Sequence, residues 1–117
     1  MSQVPQDAES AIELLKSVGG DEMVAMMMQT FIQFAEERLA KLHEERASGN
    51  VSEVASIAHA LKSSARQLGA HAMGEACAVV EHAGKTGDND GALNGVDAIQ
   101  REYAAAKTWM YALAIGA

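Results

Sequence analysis

The stretch Ala58-His59-Ala60-Leu61-Lys62-Ser63-Ser64-Ala65-Arg66-Gln67-Leu68-Gly69 decides how the rest of the chain is read. Extended back to Val54, its apolar residues fall at Val54, Ile57, Ala58, Leu61, Ala65 and Leu68. That is the i, i+3, i+4, i+7 spacing of a helix with one buried stripe. At about 100° per residue, His59 points roughly 150° away from the centre of the stripe. Ser52, Ala55, Ser56 and Ser63 are its neighbours on the outer face, with Lys62 and Arg66 at the side. Such a helix buries one face and holds an imidazole out on the other, among small side chains and beside two cations suited to an anion.

Outward from this segment, glycines mark the joints. Gly19-Gly20, Ser48-Gly49-Asn50, Gly69 and the stretch from Gly84 to Gly91 divide the chain into five helical segments. The first, about Asp7 to Val18, turns Ile12, Leu15 and Val18 toward a core. Asp21 is placed to cap the second, which runs to about Ala47 with a stripe at Val24, Met27, Met28, Phe31, Ala35, Leu39 and Leu42. Ser52 is placed to cap the third, and Gly69 to end it in the left-handed conformation. The fourth spans about His71 to Lys85, with Met73, Ala76, Cys77 and Val80 on its inner face. The last opens at Asp88-Asn89-Asp90-Gly91 and buries Leu93, Val96, Ile99, Tyr103, the stem of Lys107 and Met110. Short connections make sequential helices antiparallel neighbours. The expected fold is therefore all-α, an antiparallel up-down four-helix bundle with a short additional N-terminal helix, forming a single domain over residues 1–117.

Composition agrees and excludes other classes. Of 117 residues 49% are hydrophobic but only 4% aromatic, so the core is aliphatic and the local propensities favour helix. The formal charge of −7, with no basic stripe interleaved with aromatics, argues against nucleic acid. Cys77 is the only cysteine, which suits a reducing compartment. The first residues have neither the cationic start nor the apolar run of a signal peptide. The apolar run from Trp109 to Ala117 falls short of the roughly 20 residues that span a bilayer. The expectation is a soluble cytoplasmic protein without membrane contact, and one complete bundle is expected to be a monomer.

An imidazole with a reference pKa of about 6.5 is mostly neutral at pH 7 and offers one nitrogen lone pair for attack. If it accepts a phosphoryl group, the new charge needs a cation nearby. Lys62 stands one helical turn away and Arg66 one turn further. Ser63 leaves clearance for an incoming group.

This segment resembles the histidine phosphotransfer (HPt) domain family. The family's pattern is His-x-Leu-Lys, a small residue, one or two serines and a Leu-Gly pair, met here by His59, Leu61, Lys62, Ser63, Ser64, Leu68 and Gly69. Ser63 stands where the family often has glycine. The resemblance extends over about residues 8–113, through Phe31 and Phe34 before the motif and the helix with Glu81 after it. It implies that Glu81, 22 residues past His59, accepts the proton of Nδ1 and leaves Nε2 to take the phosphoryl group. The implied partners are response-regulator receiver domains and a hybrid histidine kinase. The implied docking face includes Ser56, Ser63 and Arg66. No cofactor is expected on this chain, and magnesium is expected on the receiver.

Other readings are weaker on the residues. No Gly-x-x-x-x-Gly-Lys loop is present, so the chain is expected to carry phosphoryl groups rather than act as a kinase or other enzyme. His43, His71 and His82 lack metal-ligand spacing, and no metal is expected. Cys77 lies in an apolar stripe and reads as an inert thiol. The alternative function is a helical-bundle interaction module that docks on receivers or other partners without carrying phosphate; it would not need His59, Lys62 and Glu81 together.

Overall fold

A computed structural model describes residues 4–116. A 3-10 turn over Gln6–Ala8 leads into α1 (Glu9–Ala47), followed by α2 (Val51–Gln67), α3 (His71–Lys85), α4 (Asn89–Asn94) and α5 (Val96–Ala114). No strand occurs among the described residues. The long helices touch in a ring, α1 on α2, α2 on α3, α3 on α5 and α5 back on α1, with α2 and α3 making the most extensive pairing. This is the expected helical bundle. Its core is aliphatic, from Val24 and Met28 through Leu42, Val54, Leu61, Val80 and Ile99 to Met110. Among the few aromatics, Phe31 and Tyr103 meet at a centroid distance of 6.4 Å.

One expected joint is met and two boundaries differ from the sequence reading. The joint expected at Gly19-Gly20 is met: α1 is two helices that meet at a kink, where Gly20 leaves the helical conformation (φ 71°, ψ −165°). A straight helix of 39 residues would be about 58 Å long. The molecule measures only 43 Å along its long axis, so the break folds the first turns back onto the end of α5. There Ile12 is buried and Leu15 half-buried, but Val18, expected inside, lies in solvent with Leu14. Asp21 caps nothing; its carboxylate lies 3.9 Å from Lys16 across the break.

Asn50, not Ser52, caps α2: its side-chain oxygen accepts the Glu53 backbone amide at 3.4 Å, and Ser52 sits within the first turn. The expected last helix is two, α4 and α5, meeting at Gly95. A Cβ there would lie 2.6 Å from Val80 Cγ2, so the corner closes onto α3 at a distance only glycine permits. The shift puts Ala92 in the core and leaves Leu93 half-buried. Lys107 reaches outward to Glu36, whose Oε2 also accepts the Tyr103 hydroxyl, each at 2.7 Å. Burial, with help from Glu36, pushes the Tyr103 phenol well above its ordinary value.

Gly69 ends α2 as expected, at φ 90°. The same position presses on the N-terminal turn, where an added Cβ would stand 2.8 Å from Ala8 Cα. The end of the histidine-bearing helix is thus fixed both by backbone conformation and by close approach.

Candidate functional site

The six apolar residues of the α2 stripe are all buried, which fixes the rotation of the helix and holds His59 outward. Its side chain is 61% exposed, in mid-helix between the exposed Ser56 and Ser63. The site is completed by α3, and small residues let α3 come close. A Cβ on Gly84 would lie 2.7 Å from Ala55 Cβ, so glycine and alanine seat the two helices against each other.

At that separation Glu81 reaches across. Its side chain is 7% exposed, yet both oxygens are satisfied. Oε2 accepts from His59 Nδ1 at 2.7 Å and from Lys85 Nζ at 3.1 Å, and Oε1 accepts from Lys62 Nζ. The Lys62 ammonium is the main reason that Glu81 stays ionised, its carboxyl lowered to about 2; burial opposes this, and Lys85 and His59 reinforce it. An ionised carboxylate on Nδ1 selects the tautomer with the proton there. Nε2 then carries the lone pair and has no hydrogen-bond partner among the described residues.

His59, Lys62 and Glu81 are therefore brought together as the sequence suggests. Arg66 is not part of the same strip. Its stem runs over Gly74, where a Cβ would lie 2.7 Å from Arg66 Cγ, and its guanidinium pairs with Glu75 at 2.9 Å. Lys85 was missed by sequence reasoning, although Glu81 and Lys85 stand at the i, i+4 spacing that pairs acid with base along a helix.

The other histidines have structural or solvent settings. His43 Nε2 donates to Gln100 Oε1 at 2.8 Å, while Arg46 reaches its Nδ1 at 3.3 Å. His71 and His82 are exposed. No group of His, Cys, Asp and Glu among the described residues is arranged to hold a metal ion. Cys77 is fully buried, and burial pushes its thiol up to about 12.

An outward imidazole, oriented by an ionised carboxylate that two lysines also contact, has a free ring nitrogen that can act as a nucleophile. The sequence model of the Hpt domain family matches residues 26–109, which span α2, α3, α4 and most of α1 and α5. The chain belongs to the Hpt domain family. As an Hpt domain it is a histidine phosphotransfer protein of phosphorelays, which work with receiver domains and kinases. The Hpt fold also appears in the crystal structure of histidine-containing phosphotransfer protein B (HptB) from Pseudomonas aeruginosa PAO1. That structure superposes with a TM-score of 0.88 at 23% identity, over 98% of this chain and 99% of the other. No curated protein sequence matches this Hpt domain. No helix among its described residues is long and apolar enough to cross a membrane.

Proposed function

We propose that His59 is the phosphoryl acceptor and donor of this Hpt domain, taking the group on Nε2 from a receiver-domain aspartate and passing it to another receiver. The observation that carries the reading is the Nδ1 contact to an ionised Glu81 beneath an exposed ring. In the forward step the Nε2 lone pair attacks phosphorus in line, the P–N bond forms, and the P–O bond to the aspartate breaks and returns the receiver's carboxylate. Glu81 keeps the Nδ1 proton and balances the positive charge that the ring acquires. Lys62, one turn along α2, stands beside the ring to offset the charge of the phosphoryl oxygens. Transfer of this kind depends chiefly on positioning and charge.

The receiver supplies the magnesium ion and an acidic pocket; this chain supplies the nucleophile, its orientation and an exposed face. It acts as a covalent carrier rather than a kinase or other enzyme, as one domain, a monomer, in the cytoplasm, downstream of a hybrid histidine kinase. The docking face is the outer side of α2 with Ser56 and Ser63, extended by part of α1, where Met26 is exposed and a cavity of about 200 Å³ lies between Phe34, Met27 and Ser64. Arg66, held by Glu75, joins that face only by exchanging partners.

Incubation with a receiver charged by a small acyl phosphate tests the reading. Label that survives base, is lost in acid and disappears in His59→Gln at unchanged helicity is the expected result. Wild-type labelling of His59→Gln overturns it, and a wild type that takes no label leaves the plain interaction module.

A further inference from the structure

Glu81 Oε2 has two donors, His59 Nδ1 and Lys85 Nζ, whereas Lys62 occupies the other oxygen. Two cations around one carboxylate are not equivalent when only one of them shares an oxygen with the ring. Lys85 lies within two hydrogen-bond lengths of the imidazole and is 71% exposed, against 20% for Lys62. The pull of Glu81 on His59 is therefore set in part by an ammonium on the far side of the same atom.

The direction of the effect follows from charge. An imidazolium beside an unshared carboxylate is stabilised, and a protonated ring has no lone pair on Nε2 to attack with. A cation on the shared oxygen weakens that stabilisation and repels the imidazolium directly. Both effects favour the neutral ring. The charged groups around His59 are Lys62 on its own helix and Glu81 and Lys85 on α3. From α1, Arg38 is occupied over the Phe34 ring, at 5.3 Å, and no charged side chain of α1, α4 or α5 pairs with His59 or Glu81 among the described residues.

We propose that Lys85 is a positioning residue of the phosphotransfer site: by sharing Oε2 of Glu81 with His59 it holds the ring in its neutral, nucleophilic state. This rests on His59 being the acceptor. A unit charge acting over such a distance near a protein surface alters a protonation equilibrium by about threefold to tenfold. Because Lys85 is exposed, the effect shrinks as salt is raised.

The test combines two readouts on the full chain, wild type beside Lys85→Ala and Lys85→Arg. In an imidazole ¹⁵N NMR titration, Lys85→Ala should show about threefold to tenfold more imidazolium at His59 at any pH where the wild-type ring is mostly neutral. Lys85→Arg should follow the wild type. Phosphoryl acceptance from a charged receiver should be slowed in Lys85→Ala below neutral pH, with the deficit shrinking as pH rises. Superimposed titrations overturn the proposal. So does an equal loss of rate at every pH, because Lys85 would then act on the phosphoryl group and not through the ring. If the titration shifts but no variant or wild type carries label, the proposal about the ring's charge stands and the carrier reading fails.

Discussion

Each of the three donors on Glu81 does something different, so the substitutions around it separate. Glu81→Ala removes the acceptor of His59 Nδ1 but leaves the nucleophile; acceptance should fall about tenfold, the size of one lost charge-assisted hydrogen bond, without vanishing. Lys62→Ala should slow transfer and lower stability by about 1–3 kcal/mol in urea titrations, because a nearly buried carboxylate oxygen loses its partner. Cys77, held protonated by burial, should resist iodoacetamide at pH 8 in the native state and react once denaturant unfolds the chain. Rapid native-state alkylation would contradict the buried position. His59, Lys62 and Glu81 were legible because a helical wheel and the family motif both place them. Lys85 was not, because the pattern of α2 shows only the cations that α2 itself carries, and this one arrives from α3. Arg66 was placed correctly on its wheel, but its long stem chose an acid on another helix, and one helix's pattern cannot name a neighbour's side chain.

Among the elements, the α2 stripe was readable in full because one continuous amphipathic face leaves a single rotation that buries it. Boundaries were harder to read wherever several residues could play the same part. Asn50 and Ser52 are both good caps, and only backbone geometry at Asn50 selects between them. Asn50→Ala should therefore cost about 1 kcal/mol and Ser52→Ala nearly nothing, measured by chemical denaturation; the reverse order would restore the sequence-based cap. The Gly95 corner was hidden because its cause is Val80, a residue on another helix. The α2–α3 approach makes a similar demand. Gly84→Val should push the helices apart at Ala55, cost about 1–3 kcal/mol and slow phosphoryl acceptance by moving Glu81 from His59.

For the molecule as a whole, the bundle was legible from composition, stripes and short connections, whereas the folding back of the first turns was not, since Gly20 alone does not tell a bend from a loop. The site also leaves a mark on global stability. The Glu81 carboxyl is lowered from an ordinary 4.5 to about 2, so its contribution is fully present above pH 4.5 and is lost as pH falls toward 2. Glu36, lowered first by Lys107 and then by Tyr103, acts with the same sign. Acid denaturation of wild type and Glu81→Gln should accordingly show a smaller loss between pH 5 and pH 2.5 in the variant; parallel curves would mean that Glu81 is not ionised by its lysines. The measurement that bears most directly on the account is ¹⁵N–³¹P NMR of the histidine-labelled protein after transfer from a charged receiver. A phosphorus coupling to Nε2 of His59, with the proton retained on Nδ1, is the predicted result. Phosphorus on Nδ1, on another histidine, or on no histidine would contradict it.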